Sequence, residues 1–275
     1  MPKILTFMKG AQYCMISSSS NTQIKNLAKL QKSARARKEQ NVFVTEGRKM
    51  FEEARELGIV IRAYVSESYL DELTIPEKDY FETTEYETVS DKVFREVADT
   101  MTPQGILAIV KKPSYSLDDF IKNTTSHLLL LEDLRDPGNL GTLLRTAEGA
   151  GMTGVIMSKE TVDLFNPKVV RSTMGSIFRI PFLYVEDFQN ILRTLQNKGF
   201  SIIATDLQSK QNFTEELYPD KSAVIIGNES KGISDITRKQ ADILVHIPMC
   251  GKLESLNASV AGGLMMYELH RQRKR

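Results

Sequence analysis

Cysteine and histidine are scarce in this chain, and their scarcity removes whole classes of chemistry. The 275 residues include only Cys14, Cys250 and three histidines. The cysteines are far apart and form no CxxC pair, so neither a disulfide framework nor a structural zinc site is expected. Both thiols should be reduced and non-catalytic, and no metal is called for. Long apolar runs are also missing: no segment reaches the roughly 20 residues of a membrane span, which excludes a membrane partner of that kind. Lys3 and Lys9 interrupt the apolar start and no cleavage site follows, so a secretory leader is not expected and a cytoplasmic location is. Residues 1–16 read as an N-terminal extension, with Met1–Cys14 either genuine extra sequence or a misassigned start.

A surplus of one charge is absent too, since 36 Lys and Arg against 35 Asp and Glu leave a formal net charge of +1. A total hides distribution, however. Between Ser17 and Lys49 stand Lys25, Lys29, Lys32, Arg35, Arg37, Lys38, Arg48 and Lys49 against only Glu39 and Glu46, and the chain ends Arg271, Arg273, Lys274, Arg275. These two places are locally basic, either as solvated surface or as phosphate-binding surface.

What is present is an ordinary globular composition, 41% hydrophobic and 26% charged, at a length that suits two domains. After Asn21, Ile24, Leu27, Ala28 and Leu30 share one helical face while lysines occupy the others, which predicts a basic amphipathic helix. A short strand at Val42–Val44, a helix over Met50, Phe51, Ala54 and Leu57, and a strand at Ile59–Val65 predict a βαβ beginning that continues to a strand at Ile106–Val110. Lys111-Lys112-Pro113-Ser114 opens a linker assigned to 111–126, separating domains at 17–110 and 127–275. The second opens on Leu128–Leu131, apolar throughout as in a parallel strand covered on both faces. Further strands at Gly154–Met157, Ser201–Thr205, Ala223–Ile226 and Ile243–Ile247, with helices between, predict an open α/β sheet.

Three constellations carry the chemistry. In the first, Leu131 to Ala147, a strand end turns through Pro137-Gly138 into a helix whose apolar stripe is Leu140, Leu143, Leu144 and Ala147. Arg145 points away from that stripe, where a guanidinium can grip phosphate or carboxylate through paired donors, or simply face water. In the second, Ala223-Val224-Ile225-Ile226 stops at Gly227-Asn228-Glu229-Ser230-Lys231-Gly232, a loop at the carboxyl end of a strand, where open α/β sheets bind ligands. The Lys-Ser/Thr of a phosphate-binding P-loop does not follow. In the third, Ile247-Pro248 ends a strand and a helix is predicted from near Ser255, with Leu256, Val260, Leu264 and Tyr267 as its buried face. Ser255 and Asn257 at its start suit capping as well as chemistry. A helix is also predicted after Asn166-Pro167, with Val170, Met174 and Ile177 inward and Arg171 off that stripe, placed to meet phosphate or to form a surface salt bridge.

Taken in order, Asn139-Leu140-Gly141 to Arg145, Gly227-Asn228-Glu229 to Gly232, and Ile247-Pro248-Met249 to Ser255-Leu256-Asn257-Ala258-Ser259-Val260-Ala261 resemble the three signature motifs of the SpoU family of RNA ribose 2'-O-methyltransferases. Asn21 to Lys25, Glu46-Gly47 and Thr102-Pro103-Gln104-Gly105-Ile106 resemble the small substrate-binding domain often fused to it. The resemblance implies a C-terminal α/β-knot domain of SPOUT type, trefoil-knotted, and a smaller N-terminal α/β domain like ribosomal-protein RNA binders. It implies a homodimer whose interface lies beside the cofactor site. S-adenosylmethionine would be held by backbone around Gly227, Ile247 and Leu256, with Thr205 at a neighbouring strand end. Arg145 matches the arginine assigned to catalysis, Asn139 and Glu229 shape its site, and Ser255 and Asn257 complete it. Arg171, Lys25, Lys29 and Arg35 are the expected substrate contacts. The partner is RNA, not DNA, with large-subunit ribosomal RNA favoured over transfer RNA and a non-catalytic RNA-binding assembly factor as the rival outside the enzymes. A nicotinamide-dependent oxidoreductase is set aside, because Gly138 and Gly141 do not fit the GxGxxG spacing.

Overall fold

A computed structural model describes residues 15–74, 81, 84–121, 124–215 and 218–273. Cys14, nearly all of the expected extension, and Lys274-Arg275 lie outside them. The chain divides into two compact units, Met1–Lys112 and Pro113–Arg275.

The first unit runs α1 (Thr22–Lys32), α2 (Ala34–Gln40), β1 (Val42–Glu46), α3 (Arg48–Glu56), β2 (Val60–Ser66), α4 (Glu67–Glu72), β3 (Tyr86–Val89), α5 (Asp91–Val97) and β4 (Ile106–Lys111). Asn21 caps α1 by accepting from Gln23 N at 2.8 Å, and Ile24, Leu27 and Leu30 pack into a core with Phe94 and Leu107. The expected βαβ start is corrected: β1 and β2 are not neighbours. The sheet order is β1-β4-β2-β3, with β4 antiparallel to both strands beside it, and the parallel pair is β2 with β3. The uninterrupted Ile106–Val110 run explains this, since only a central strand buries both of its faces. Ile16, assigned above to the extension, belongs to this fold. Its N–H donates to Thr88 O at 2.8 Å, its carbonyl accepts from Ser90 N at 3.0 Å, and its side chain is buried.

The second unit runs α6 (Asp118–Ile121), β5 (Ser126–Leu131), α7 (Pro137–Gly149), β6 (Gly154–Ser158), α8 (Pro167–Ser172), α9 (Ser176–Arg179), β7 (Phe182–Val185), α10 (Phe188–Asn197), β8 (Ser201–Thr205), β9 (Lys221–Ile226), α11 (Asp235–Gln240), β10 (Ile243–Val245) and α12 (Ala258–Arg273). The segment expected as linker is partly structured: Lys111 is the last residue of β4, Phe120 of α6 is buried, and Ser126 opens β5. Six parallel strands are ordered β10-β8-β9-β5-β6-β7. The chain starts at β5, winds outward through β6 and β7, then crosses to β8 and returns to β9 beside β5. The strand order therefore reverses between β5 and β9, which opens a crevice at their carboxyl ends.

Two helical expectations are corrected. The helix after Pro167 stops at Ser172 instead of continuing through Ile177, and Met174 is 47% exposed at φ +50° rather than on an inner stripe. The last helix begins at Ala258, and its buried residues include Met265, Met266 and Leu269, whereas Val260, Leu264 and Tyr267 are 51%, 40% and 53% exposed. An apolar stripe on the outside follows the same period as one on the inside, so period alone could not choose between them. Among the described residues no helix is long and apolar enough to cross a membrane.

Candidate active site

Three loops leave the carboxyl edge of the parallel sheet and are tied together there: 132–136 after β5, 227–234 after β9, and 246–257 after β10. The first tie is Glu132, a buried carboxylate just past the apolar β5 run, which accepts from Ser234 N (3.0 Å), Ser234 Oγ (2.7 Å) and Thr237 Oγ1 (2.8 Å) and so fixes the start of α11. The second is Asn228, whose Nδ2 donates to Asp133 O at 2.8 Å. Glu229 makes the third. Its carboxylate accepts from Arg135 N at 3.0 Å, Asp136 N at 2.8 Å and Asn139 Nδ2 at 3.1 Å, at the start of α7, where backbone N–H groups lack helical partners. Burial is the largest single influence on Glu229 and raises its pKa, but the hydrogen bonds from Asp136, Arg135 and Asn139 together hold it below the ordinary glutamate value.

Asp136 caps the same helix by accepting from Asn139 N at 2.8 Å, ahead of Pro137 in the first turn. Asn139 then passes the connection on, because its Oδ1 accepts from Asn257 Nδ2 at 2.9 Å. Asn257 also accepts from Ser259 N at 2.9 Å and Ser259 Oγ at 2.6 Å, so it caps α12 while reaching the first loop. Capping and site building are one arrangement here. Glu229, Asn139 and Asn257 form a continuous chain across three segments far apart in sequence.

At the Glu229 end of this chain lies an open cleft of about 280 Å³, within reach of the sizes usual for small-molecule sites. Thr205, Gly227, Glu229, Ile247, Ser255 and Leu256 all line it, as do Asp206, Leu207 and Arg238. Gly227 is required by close approach: a Cβ there would stand 2.2 Å from Gly232 C and 2.4 Å from Ile233 N. The loop is closed by paired bonds, Asn228 N to Gly232 O at 3.0 Å and Gly232 N to Asn228 O at 2.8 Å. Asp206 is 7% exposed and lies 3.0 Å from Arg238 Nε, an ionic contact without aligned hydrogen-bond geometry. The donor set fits an adenosine-bearing ligand. Ile226, Val245 and Leu256 supply an apolar floor, and the backbone groups of Ile247 and Leu256 are unpaired among the described residues and available to a purine edge.

Neither Asn139 nor Asn257 lines this cleft, and nor does Arg145. It lies six residues beyond Asn139 on α7, about 9 Å along the axis and about 120° around it. It is exposed and makes no hydrogen bond or ion pair to any described residue. The structure thus joins Asn139, Glu229 and Asn257, and leaves Arg145 apart from them within one chain. Arg171 is half-buried at the end of α8. Lys25 and Lys29 are exposed on α1, and Arg35 is on α2, 2.6 Å from Glu39 in a solvated pair. Sequence reasoning passed over Glu132, Asp206 and Arg238. For Glu132 a signal existed, an acid directly after a fully apolar strand, whereas Asp206 and Arg238 acquire meaning only from the strand order.

The chain matches the SpoU rRNA Methylase family over residues 126–267 and an MRM3-like substrate binding domain over 21–108. It is 33% identical over 255 residues to the 23S rRNA (guanosine(2553)-2'-O)-methyltransferase RlmP of Bacillus subtilis, covering 92% of this chain and 98% of that protein. It is 35% identical over 174 residues to the 23S rRNA (guanosine-2'-O-)-methyltransferase RlmB of Neisseria meningitidis, covering 62% of this chain and 70% of that one. Among solved structures, an AdoMet-bound rRNA methyltransferase from Sinorhizobium meliloti superposes with a TM-score of 0.84 at 28% identity, covering 95% of this chain and 98% of the other. The motifs, the parallel sheet with its three tied loops, and these likenesses together place the chain in the SpoU rRNA methylase family of S-adenosylmethionine-dependent RNA 2'-O-ribose methyltransferases.

Proposed function

We propose that this chain methylates a ribose 2'-hydroxyl in ribosomal RNA of the large subunit, in the cytoplasm. The observation that carries the reading is the chain of hydrogen bonds from Glu229 through Asn139 to Asn257, whose Glu229 end lines a cleft together with Ile226 and Leu256. S-adenosylmethionine supplies a methyl group on a sulfonium centre that is already a good leaving group. What remains for the protein is positioning, exclusion of water and handling of one proton. Thr205, Gly227, Ile247 and Leu256 hold the donor, and Glu229 keeps Asn139 and the start of α7 in register with it. Ser255 borders the same space, and Asn257 ties the start of α12 to Asn139. Arg145 acts as a fixed cation, because a guanidinium stays protonated; it orients RNA phosphate and stabilises the developing alkoxide.

In this reading Arg145 serves the cleft of a second copy. Two observations support a homodimer: Arg145 is exposed, unpaired and off its own chain's cleft, and α12 exposes Val260, Leu264 and Tyr267 around a shallow apolar hollow that also includes Thr146 of α7. The trefoil knot belongs to the same reading, with α12 packed against α7 and β9 as its supporting contacts. Lys25, Lys29, Arg35 and Arg171 make salt-sensitive phosphate contacts, and the first unit supplies specificity. Mapping 2'-O-methyl groups in RNA from a deletion strain tests the proposal. One lost methyl in large-subunit RNA, restored by wild type and not by Arg145→Ala, is expected; an unchanged map refutes it.

A further inference from the structure

The turn between α8 and α9 departs furthest from what its sequence suggests. A continuous helix would bury Met174, yet α8 ends at Ser172 and the buried Thr173 turns its Oγ1 onto Val170 O at 2.7 Å. Met174 follows at φ +50° and Gly175 at φ +95°, two left-handed residues in succession. Left-handed backbone suits glycine and disfavours any residue with a Cβ, so glycine would serve the turn better at position 174 as well. The turn is not loose. Ser176 N donates to Thr173 O at 3.0 Å, Met174 N to Arg171 O at 3.2 Å, and Arg179 Nη2 to Met174 O at 3.4 Å. The conformation is held from several sides, and its effect is to turn an apolar side chain outward.

The neighbourhood of that side chain follows from helix geometry. On α7, Gly141 abuts Ser172, since a Cβ on Gly141 would stand 2.3 Å from the Ser172 Cβ, and Glu148 receives Ser176 Oγ and Arg179. Positions 141, 145 and 148 are spaced i, i+4 and i+7 and share one face. Arg145 therefore projects between the Ser172 and Ser176 contacts, beside the turn that carries Met174. Helix spacing thus puts an exposed guanidinium, with no acid paired to it among the described residues, on the same side as a projecting thioether, one suited to a phosphate and the other to the face of a base. Proteins read unpaired RNA largely by packing against base faces, and methionine adapts to such flat polarizable surfaces.

We infer that Met174 contacts the substrate RNA directly, receiving the face of an unpaired base while Arg145 engages the adjoining phosphate. This rests on the methyltransferase reading above, and the test separates the two. Ribosomal RNA isolated from a strain deleted for this chain's gene is the probe. Met174→Gly and Met174→Asn both accept left-handed backbone and remove the thioether. Both are expected to melt no lower than wild type and to bind S-adenosylmethionine in calorimetry with wild-type affinity. Both should raise the KM for RNA about tenfold, within the range for loss of one base-packing contact. Met174→Phe should bring KM back to within about threefold of wild type. An unchanged RNA KM in both the Gly and Asn variants overturns the inference. So does a raised KM accompanied by dissociation of the dimer in sedimentation, which would make Met174 a contact between copies, or by lost donor affinity. If wild type transfers no methyl group to this RNA, the activity reading has failed, and filter binding of the same RNA to wild type and Met174→Gly decides the contact by itself.

Discussion

Adding one methyl group at Gly227 is the sharpest perturbation the structure offers. The alanine Cβ would sit 2.2 Å from Gly232 C and 2.4 Å from both Gly232 O and Ile233 N. Ordinary contact needs about 3.4 Å, so the facing backbone must retreat by about 1 Å, and no side chain can absorb this by rotating. The retreat strains the two bonds between Asn228 and Gly232 that close the loop, each worth about 1 kcal/mol, and adds an overpacking cost of about 1–3 kcal/mol. Part of this is relieved by opening the loop over the cleft, and the donor site takes that share. Gly227→Ala should thus remain folded with a Tm lowered by about 5–10 °C, allowing about 2–4 °C per kcal/mol for a domain of this size. Its affinity for S-adenosylmethionine, measured by titration calorimetry without RNA, should fall by about tenfold to a hundredfold. A variant that binds the donor as wild type does would refute the assignment of this loop to the donor site.

Other outcomes follow from the same contacts. Glu229→Gln keeps one acceptor for three donors and should cost about 1–2 kcal/mol at pH 7, the low end for charged hydrogen bonds because the side chain is partly exposed. Since the folded pKa of Glu229 lies below its unfolded value, its contribution is present above about pH 4.5 and is lost as pH falls through the folded value. Urea melts of wild type and Glu229→Gln should therefore converge below that pH, and a constant gap would refute the linkage. Asn257→Ala removes a helix cap and the partner of Asn139 Oδ1; a loss of about 1 kcal/mol in denaturant melts with a larger fall in kcat than in donor affinity is expected, and a change in stability alone would make it only a cap. If Arg145 works in the cleft of a second copy, mixing Arg145→Ala with Gly227→Ala, at a donor concentration that loads the wild-type cleft but not the Gly227→Ala cleft, should restore about a quarter of wild-type turnover per dimer, because half of the dimers are mixed and each carries one intact site, a statistical expectation for cyclic pairs. No recovery after subunit exchange, confirmed by mass, would place Arg145 in its own cleft.

Much of the fold could be read directly from residue order. The apolar runs at Leu128–Leu131 and Ala223–Ile226 announce central parallel strands, and both lie at the sheet centre as β5 and β9. The short strands β3 and β7 escaped notice because Tyr86–Val89 and Phe182–Val185 are half-covered edge strands with weak patterning. The first unit was misread because consecutive strands with a helix between them suggest direct neighbours, whereas insertion of β4 is decided by which strand can be buried on both faces.

Sequence alone determined the chemistry on offer: asparagines, a glutamate and an arginine in three ordered motifs, the glycine at 227, and the lack of metal-ligand spacing, all of which are local properties of residue type and interval. Tertiary structure decided which of them meet. Asn139, Glu229 and Asn257 are joined because the strand order reverses between β5 and β9, and Arg145 is separated from them because a helix rotates six residues through most of two turns. The same principle turned Met174 and the Val260–Leu264–Tyr267 stripe outward, since periodicity specifies a face but only packing specifies what that face is turned toward.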